Sequence, residues 1–542
     1  MPYRLAITIA GAVSLGSYEA GVLYEIIEAI GQYNQTVEQD KRILVDVLTG
    51  ASAGGMSAIV LGQKLLFEAS ALRDPYDNML YRAWVRDVDL EPLLDLQHDE
   101  DPASSILSSN LVESLSKKYL MQRYSTHIPP VADQHQASAE SIRLGLALSN
   151  LNGVDYTYPV RPSGTFTYTR FQDQLYATAD SKTDSPDFWE PLRNAAVSCG
   201  AFPFAFRVKD LVRHKTEYPS PNVVFPMQTE TFTYTDGGVF QNQPLGLAKN
   251  LVDTIDHHVN TDTRFYLFIA PHVQSSTAHA SFNANMADFK ETAAQLLNAV
   301  YGQAGFQDWV EAETLNQRID LFNRRALELN AGLASGKIDP ASLATAANTL
   351  LPLLFRHRDP SSETIDAARI RLKKQFGEEY EYLSRATSQA AADTWVDSIL
   401  TFETAADLGD RDEMVIYGVT ANSSELAGSQ LTAFVGFFSQ QYRDHDYDVG
   451  RLKARQFLSD PSLGSPGNLP KIVYESKAIR PIDHSLDGLA LSDVPRDLRE
   501  TIESRLHNRS GDLLQELGLS WPVREGIEVA FIGPQLRKLL GL

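Results

Sequence analysis

The sequence predicts an α/β fold with a mainly parallel sheet covered by helices on both faces. Three observations carry that prediction. Two short, mostly β-branched apolar runs, Leu5–Ile9 and Ile43–Leu48, are each followed by a glycine-containing turn and then by a helix-forming segment. Strand, turn and helix, repeated, imply parallel strands, because the helix must carry the chain back to the same edge of the sheet. The chain of 542 residues is also 43% hydrophobic and 22% charged, an ordinary globular balance that leaves enough apolar material for a large core.

In chain order, Leu5-Ala6-Ile7-Thr8-Ile9 reads as the first core strand and Gly11–Gly16 as its turn. Val22, Leu23, Ile26, Ile27 and Ile30 recur at helical spacing, so a helix is expected from Ser17 to about Gln32. The run Ile43–Leu48 reads as a buried strand ended by Gly50, with helix formers from Ala53 to Ala69. Residues 72–137 change to polar helical segments and loops, an expected helical insertion over the sheet edge. A capping-box arrangement there suggests a helix start at Asn110–Glu113. Strand signals return at Ile142–Leu148, Thr165–Tyr168, Glu230–Thr235 and Phe265–Ile269. From Met286 to Asp407 alanine, leucine and charged residues predict helices, and Ser459–Pro470 reads as a loop. The expected organisation is an α/β domain over 1–280, including the insertion, and a mostly helical region over 281–542 packed on it.

Charge and composition exclude several functions. Acidic residues number 69 against 48 basic ones, a net charge of −21 that repels phosphate backbones, so nucleic acid is not an expected partner. Any membrane contact has to be local and apolar rather than electrostatic. The single cysteine, Cys199, excludes an internal disulfide framework and a cysteine-rich zinc site. No segment approaches the ~20 apolar residues that span a bilayer. Arg4 followed by Leu5–Gly16 imitates a signal peptide, but the strand reading is preferred because cleavage would remove a turn the chemistry below needs. A cytoplasmic location follows as an expectation.

Three motifs could carry chemistry. Gly50-Ala51-Ser52-Ala53-Gly54 fits G-x-S-x-G at a strand-to-helix junction. A serine on so sharp a turn has a strained backbone and needs small neighbours two residues away. The helix that follows presents free N–H groups, Ala53 first, to negative charge forming beside Ser52. The same pentapeptide could serve only to pack a helix closely on a sheet. Gly11–Gly16 also lies between strand and helix, and two such turns on neighbouring parallel strands open at the same carboxyl edge, where α/β proteins bind ligands. Its amides could supply the other half of an oxyanion hole. It lacks the G-x-x-x-x-G-K-[ST] of a phosphate loop. Asp236-Gly237-Gly238 ends the strand Glu230–Thr235; by itself, aspartate before glycine reads as a turn.

In order and spacing these pieces resemble the patatin-like phospholipases: a glycine-rich turn near the start, G-x-S-x-G, then D-G-G/A. The block Ser198-Cys199-Gly200-Ala201-Phe202-Pro203-Phe204-Ala205-Phe206 resembles the small-residue and proline stretch that precedes the aspartate strand in that family. The likeness covers about residues 4–275 and departs at one place. Ala12, Val13 and Leu15 stand where G-G-G-x-R/K-G has two glycines and a basic residue, so backbone donors remain while a fixed cation is missing. The resemblance implies a patatin-like three-layer α/β/α core and a lipid acyl hydrolase, of phospholipase A or lysophospholipase type. It implies Ser52 as nucleophile, Asp236 as base, and an oxyanion hole from Gly11, Ala12, Val13 and Ala53. Gly16, Gly50, Gly54, Gly237 and Gly238 would shape the turns. It implies no cofactor and no metal, a phospholipid or other acyl-ester substrate, and scope for peripheral membrane contact.

Other readings stay open at this level. The same serine could serve an acyltransferase, or the core could be an inactive lipid-binding scaffold. A serine–histidine–aspartate triad could draw on His272, His445, His484 or His507. The aromatic and charged run Gly436–Arg451 is read as arginine–carboxylate pairing that locks the helical part onto the core, with a headgroup-reading pocket wall as its rival. Its crowded carboxylates fit no standard metal site.

Overall fold

The computed structural model describes residues 2–97, 99–101, 104–125, 131–160, 164–225, 227–256, 263–271, 282–284, 289–355, 364–406, 414–429 and 433–516. His272, Met286 and Asp407 lie outside them. The chain divides into two units. The first takes in Met1–Ala248, Phe265–Asp308 and Ile416–Leu542, and so includes residues on both sides of position 280; the second takes in Lys249–Arg264 and Trp309–Val415.

Among the described residues nine strands form one mixed sheet: β1 (Tyr3–Ile9), β2 (Ile43–Gly50), β3 (Ser138–Pro159), β4 (Thr165–Asp180), β5 (Lys209–His214), β6 (Val223–Val224), β7 (Thr229–Thr235), β8 (Arg264–Ala270) and β9 (Ile416–Thr420). Their order is β5-β7-β3-β2-β1-β8-β9, with β4 and β6 also paired to β3. The centre is parallel, β1 to β2 and β2 to β3, as is β8 to β9, whereas β4, β6 and β7 run antiparallel to β3. Buried on both faces, β1, β2 and β8 carry the near-continuous apolar runs that such strands require. The chain fold is therefore the expected α/β one, with a mostly helical C-terminal region.

Helix α1 (Gly16–Thr36) follows β1, and α2 (Ser52–Phe67) follows β2. In the insertion, α3 (Ser109–Leu120) begins two residues before the sequence pattern suggests: Ser108 Oγ accepts from Leu111 N–H at 3.2 Å. Glu113, read as a cap partner, instead pairs with Arg193 and Lys209. Helix α4 (Pro186–Cys199) starts with proline, whose missing N–H costs nothing there. Helix α5 (Gln440–Leu458) packs on α1 through glycines. A Cβ on Gly21 would lie 2.1 Å from the carbonyl oxygen of Tyr447, and one on Gly450 2.1 Å from that of Tyr18.

Strands β3 and β4 continue well past the positions read from sequence. Gly50 pairs with Leu146, so β3 runs on from the edge where β2 ends, and it leaves the central sheet as a ribbon with β4. On that ribbon Tyr156 pairs with Tyr168 and Tyr158 with Phe166, and the Tyr168 ring stacks with those of Tyr156, Tyr158 and Phe166, while Thr157, Thr165, Thr167 and Thr169 occupy the alternate positions.

The second unit is helical. Its core gathers Leu351, Leu372, Leu383, Trp395 and Ile399, and the Trp395 indole donates to the Ala326 carbonyl at 2.9 Å. Among the described residues no helix is long and apolar enough to cross a membrane.

Candidate functional site

The site forms where β1, β2 and β7 end. Strand β2 closes at Gly50, and Ser52 begins α2 with φ 51°, in the left-handed region that costs a non-glycine residue about 1–2 kcal/mol. The turn closes because its glycines touch backbone. A Cβ on Gly54 would lie 2.3 Å from the Ala10 oxygen and 2.4 Å from that of Ile9, and one on Gly50 2.4 Å from the Gly54 carbonyl. Helix α2 thus sits directly on the end of β1, with Ser52 raised above the junction.

Asp236 comes from the end of β7. Ser52 Oγ donates to its Oδ2 at 2.5 Å, and the Gly238 N–H donates to its Oδ1 at 2.6 Å. The main chain of Asp236 is held as firmly. Its N–H donates to Ala201 at 2.9 Å, and its carbonyl accepts from Ser149 Oγ at 2.7 Å. Gly237 has no room for a side chain, since a Cβ there would fall 2.0 Å from the Ala147 oxygen. The Asp236 carboxyl is buried, and that burial pushes its pKa up to about 7 despite the opposing hydrogen bonds from Ser52 and Gly238. The two residues 184 positions apart are therefore brought together, with the carboxyl tuned near neutrality.

The Gly11–Gly16 turn lies against Ser52, since a Cβ on Gly11 would be 3.1 Å from that of Ser52. Contrary to its expected part in the oxyanion hole, the amide of Gly11 is already engaged. The Gly11 N–H donates to the Asn242 carbonyl at 2.9 Å and so is not free to receive an oxyanion. The amides of Ala12, Val13 and Ala53 have no protein acceptor among the described residues, and Val13, like Ser52, has φ 51°. Gly16 lies against the Trp84 ring, where a Cβ would come within 2.6 Å.

Ser52, Val13 and Ala53 line a cavity of about 960 Å³, including its open mouth. Its walls are almost wholly apolar: Met56 and Val60 of α2, Leu115 of α3, Val197 of α4, and Phe202, Phe206 and Phe437 from loops. No described histidine lines it or bonds Ser52. His445 faces the Glu425 carbonyl at 3.1 Å and Asp487 at 3.4 Å, while exposed His484 also pairs with Asp487. Cys199 is buried near Asp236, and burial first, then that carboxylate, push its thiol pKa well up.

The run Gly436–Arg451 largely forms α5 and makes the pairings read from it. Buried Arg451 meets Glu25 at 2.9 Å, and Arg443 donates to the carbonyls of Val85, Gly436 and Phe437 and to Asp89. Asp448 pairs with Arg480, and Asp446 accepts from the amides of Ala427 and Gly428. Only Phe437 of this run reaches the cavity wall.

Sequence reasoning missed Asn242 and Ser149. Asn242 sits against both glycine turns: a Cβ on Gly11 or Gly238 would meet its Oδ1 at 2.0 or 2.5 Å. Its place six residues after Asp236 is the only local signal. Ser149 pairs with Thr235, the residue before Asp236, at a register position between β3 and β7 that no motif marks.

A family model described as patatin-like phospholipase matches residues 7–249. An uncharacterized protein y4iI of Sinorhizobium fredii is 23% identical over 46% of this chain and 45% of its own length. An uncharacterized membrane protein Rv3479 of Mycobacterium tuberculosis is 24% identical over 46% of this chain and 26% of its own. The matched part of the chain thus spans less than half of either relative.

Proposed function

Residues 7–249 are a patatin-like phospholipase domain, and on that premise we propose that the protein is a serine lipid acyl hydrolase working through Ser52 and Asp236. The observation that carries this reading is the 2.5 Å hydrogen bond from Ser52 Oγ to a buried carboxyl at the wall of an apolar cavity. Ser52 Oγ attacks the carbonyl carbon of an acyl ester while its proton passes to Asp236 Oδ2. The amides of Ala12, Val13 and Ala53 hold the negative oxygen that results. Collapse of the tetrahedral species expels the alcohol, which takes the proton from Asp236 and leaves the acyl group on Ser52. Water then attacks the acyl carbon, giving a proton to Asp236, and Ser52 Oγ takes that proton as its bond to the acyl carbon breaks, releasing the fatty acid and restoring both residues. The acyl chain lies along Met56, Leu115 and Val197. A free aspartate is too weak a base near neutrality; the pKa of about 7 that burial gives Asp236 matches the task.

The test compares wild type with Ser52→Ala and Asp236→Asn on a chromogenic fatty-acyl ester and with a fluorophosphonate probe. Ser52→Ala is expected to abolish both signals and Asp236→Asn to cut turnover severely; full hydrolysis by Ser52→Ala would place the chemistry elsewhere. Adding an alcohol acceptor separates a hydrolase from an acyltransferase by product. Absence of any product or labelling in wild type would favour a binding module.

The reading includes a local apolar contact with lipid, supported by the ribbon of β3 and β4. Tyr158, Phe166 and Tyr168 stand exposed on one side of it, a suitable edge for a protein whose net charge is −21. Co-sedimentation with phosphatidylcholine vesicles should be lost in Tyr158→Ser/Phe166→Ser while soluble-ester turnover persists. Unchanged sedimentation would exclude the ribbon.

A further inference from the structure

The proposed reaction needs the Ala12 and Val13 amides aimed at Ser52, yet the turn that presents them departs from the glycine pattern where freedom matters most. Val13 holds φ 51°, a conformation glycine takes without strain and a β-branched residue resists. No side-chain cap within the turn offsets this. The offset comes from 419 residues away, where Ser14 Oγ donates to the carbonyl of Ala433, itself at φ 65°.

The partner segment is built to reach that point. A Cβ on Gly436 would lie 2.4 Å from Ser14 Oγ, and one on Gly428 3.1 Å from Leu15 Cδ2 and 2.7 Å from Asp446 Oδ2. Neither glycine has positive φ, so close approach to the turn, not a special backbone conformation, excludes a side chain there. Both ends of the segment are tied to the region of α5. Asp446 accepts from the Ala427 and Gly428 amides at 2.7 and 3.0 Å, and Arg443 holds the carbonyls of Gly436 and Phe437 at 3.0 and 3.1 Å.

We infer that Ser14 is a positioning residue and that Ala427–Gly428 with Ala433–Phe437 form an intramolecular clamp, together keeping the strained Val13 amide directed at the oxyanion on Ser52. The inference rests on the proposed reaction and assigns the C-terminal segment a part in it. Ser14 touches no substrate; it acts through the turn.

A double-mutant cycle on the full chain tests it, with Ser14→Ala, Val13→Gly and their combination assayed on a fatty-acyl ester beside wild type and Ser52→Ala. Ser14→Ala is expected to lower kcat by about tenfold or more, with KM within about twofold, because the donor drifts from the transition state while the cavity stays intact. In the Val13→Gly background the same substitution should cost less than about threefold, since glycine holds the turn unaided. A merely structural role would not give this suppression, because Val13→Gly adds no contact. If Ser14→Ala fails to fold, Gly436→Ala, which presses on Ser14 Oγ from the other side, is expected to give the same kcat loss and the same suppression. An equal loss in both backgrounds, or no loss, overturns the clamp while a silent Ser52→Ala leaves the hydrolase reading standing. Full activity in Ser52→Ala overturns both.

Discussion

Replacing Asp236 by asparagine separates what this carboxyl does to the fold from what it does for turnover. The side chain is 1% exposed, and burial raises its pKa from 3.8 to about 7. A carboxyl raised in the folded state is one whose ionisation the fold resists. Its contribution is fully favourable below pH ~4, where folded and unfolded chains are both protonated, and is lost progressively up to about pH 7. Above that both states are ionised and the loss levels off. A rise of about three pH units corresponds to ~4 kcal/mol at the plateau, as an order of magnitude. Asparagine keeps the shape and an acceptor for the Gly238 N–H but has no proton to lose. The stability advantage of Asp236→Asn over wild type should therefore grow between pH 5 and pH 8 by a few kcal/mol, read from urea midpoints at each pH. Turnover should respond in the opposite sense. Wild-type kcat/KM rises with pH through an inflection near 7, because only the ionised carboxyl can take the Ser52 proton, while the asparagine variant is severely impaired throughout. A stability difference identical at pH 5 and pH 8, together with an inflection near 4, would mean that Asp236 is charged at ordinary cost and that its burial does not raise its pKa.

Three further outcomes follow from named contacts. Gly54→Ala places a methyl 2.3 Å from the Ala10 oxygen, backbone that cannot step aside, so α2 must shift. A loss of about 2–3 kcal/mol in denaturation and a matching fall in Ser52 labelling are expected. Glu25→Ala strands buried Arg451 without its carboxylate and should cost about 3–5 kcal/mol, whereas Glu25→Leu with Arg451→Met should cost clearly less; equal losses would show that desolvation of Arg451 is not the issue. Met56→Trp fills cavity space beside Ser52, so long-chain esters should lose at least about tenfold in kcat/KM while acetyl esters keep most of theirs.

Much of the central sheet was legible because its strands are short apolar runs and its turns carry glycines with a steric reason. Gly50 and Gly54 can be read from the sequence as necessities of a tight junction, and in the fold each lies against a carbonyl that a side chain would strike. The Gly11 amide was not legible as occupied, because its acceptor, Asn242, comes from a loop more than 200 residues on. Strand β5 alternates exposed and buried positions in a highly charged hexapeptide, too weak a pattern to stand out. Strand β9 is five residues long and owes its place to β8 rather than to its own composition. The α3 cap slipped by two residues because Ser108, Ser109 and Asn110 all offer a capping oxygen, and packing chooses among them.

The C-terminal contribution was hidden for a different reason, and the glycines show what kind of signal would reveal it. Gly21, Gly428, Gly436 and Gly450 all lack positive φ, so no turn explains them. Each is a place where a Cβ would strike another part of the chain: Gly450 against Tyr18, Gly21 against Tyr447, Gly436 against Ser14, and Gly428 against Asp446. Glycine within a helix is unfavourable by about 1 kcal/mol relative to alanine, so one that bends nothing marks close approach by a distant segment. Read that way, the glycines of α1 and α5 form a matched pair across more than 400 residues, and those at 428 and 436 point to the turn beside Ser52. The part of the chain that matches the patatin-like phospholipase model, residues 7–249, would thus rely on residues after 416 for the shape of its first turn. It follows that substitutions at Gly428 or Gly436 should impair hydrolysis although neither lies within the matched domain.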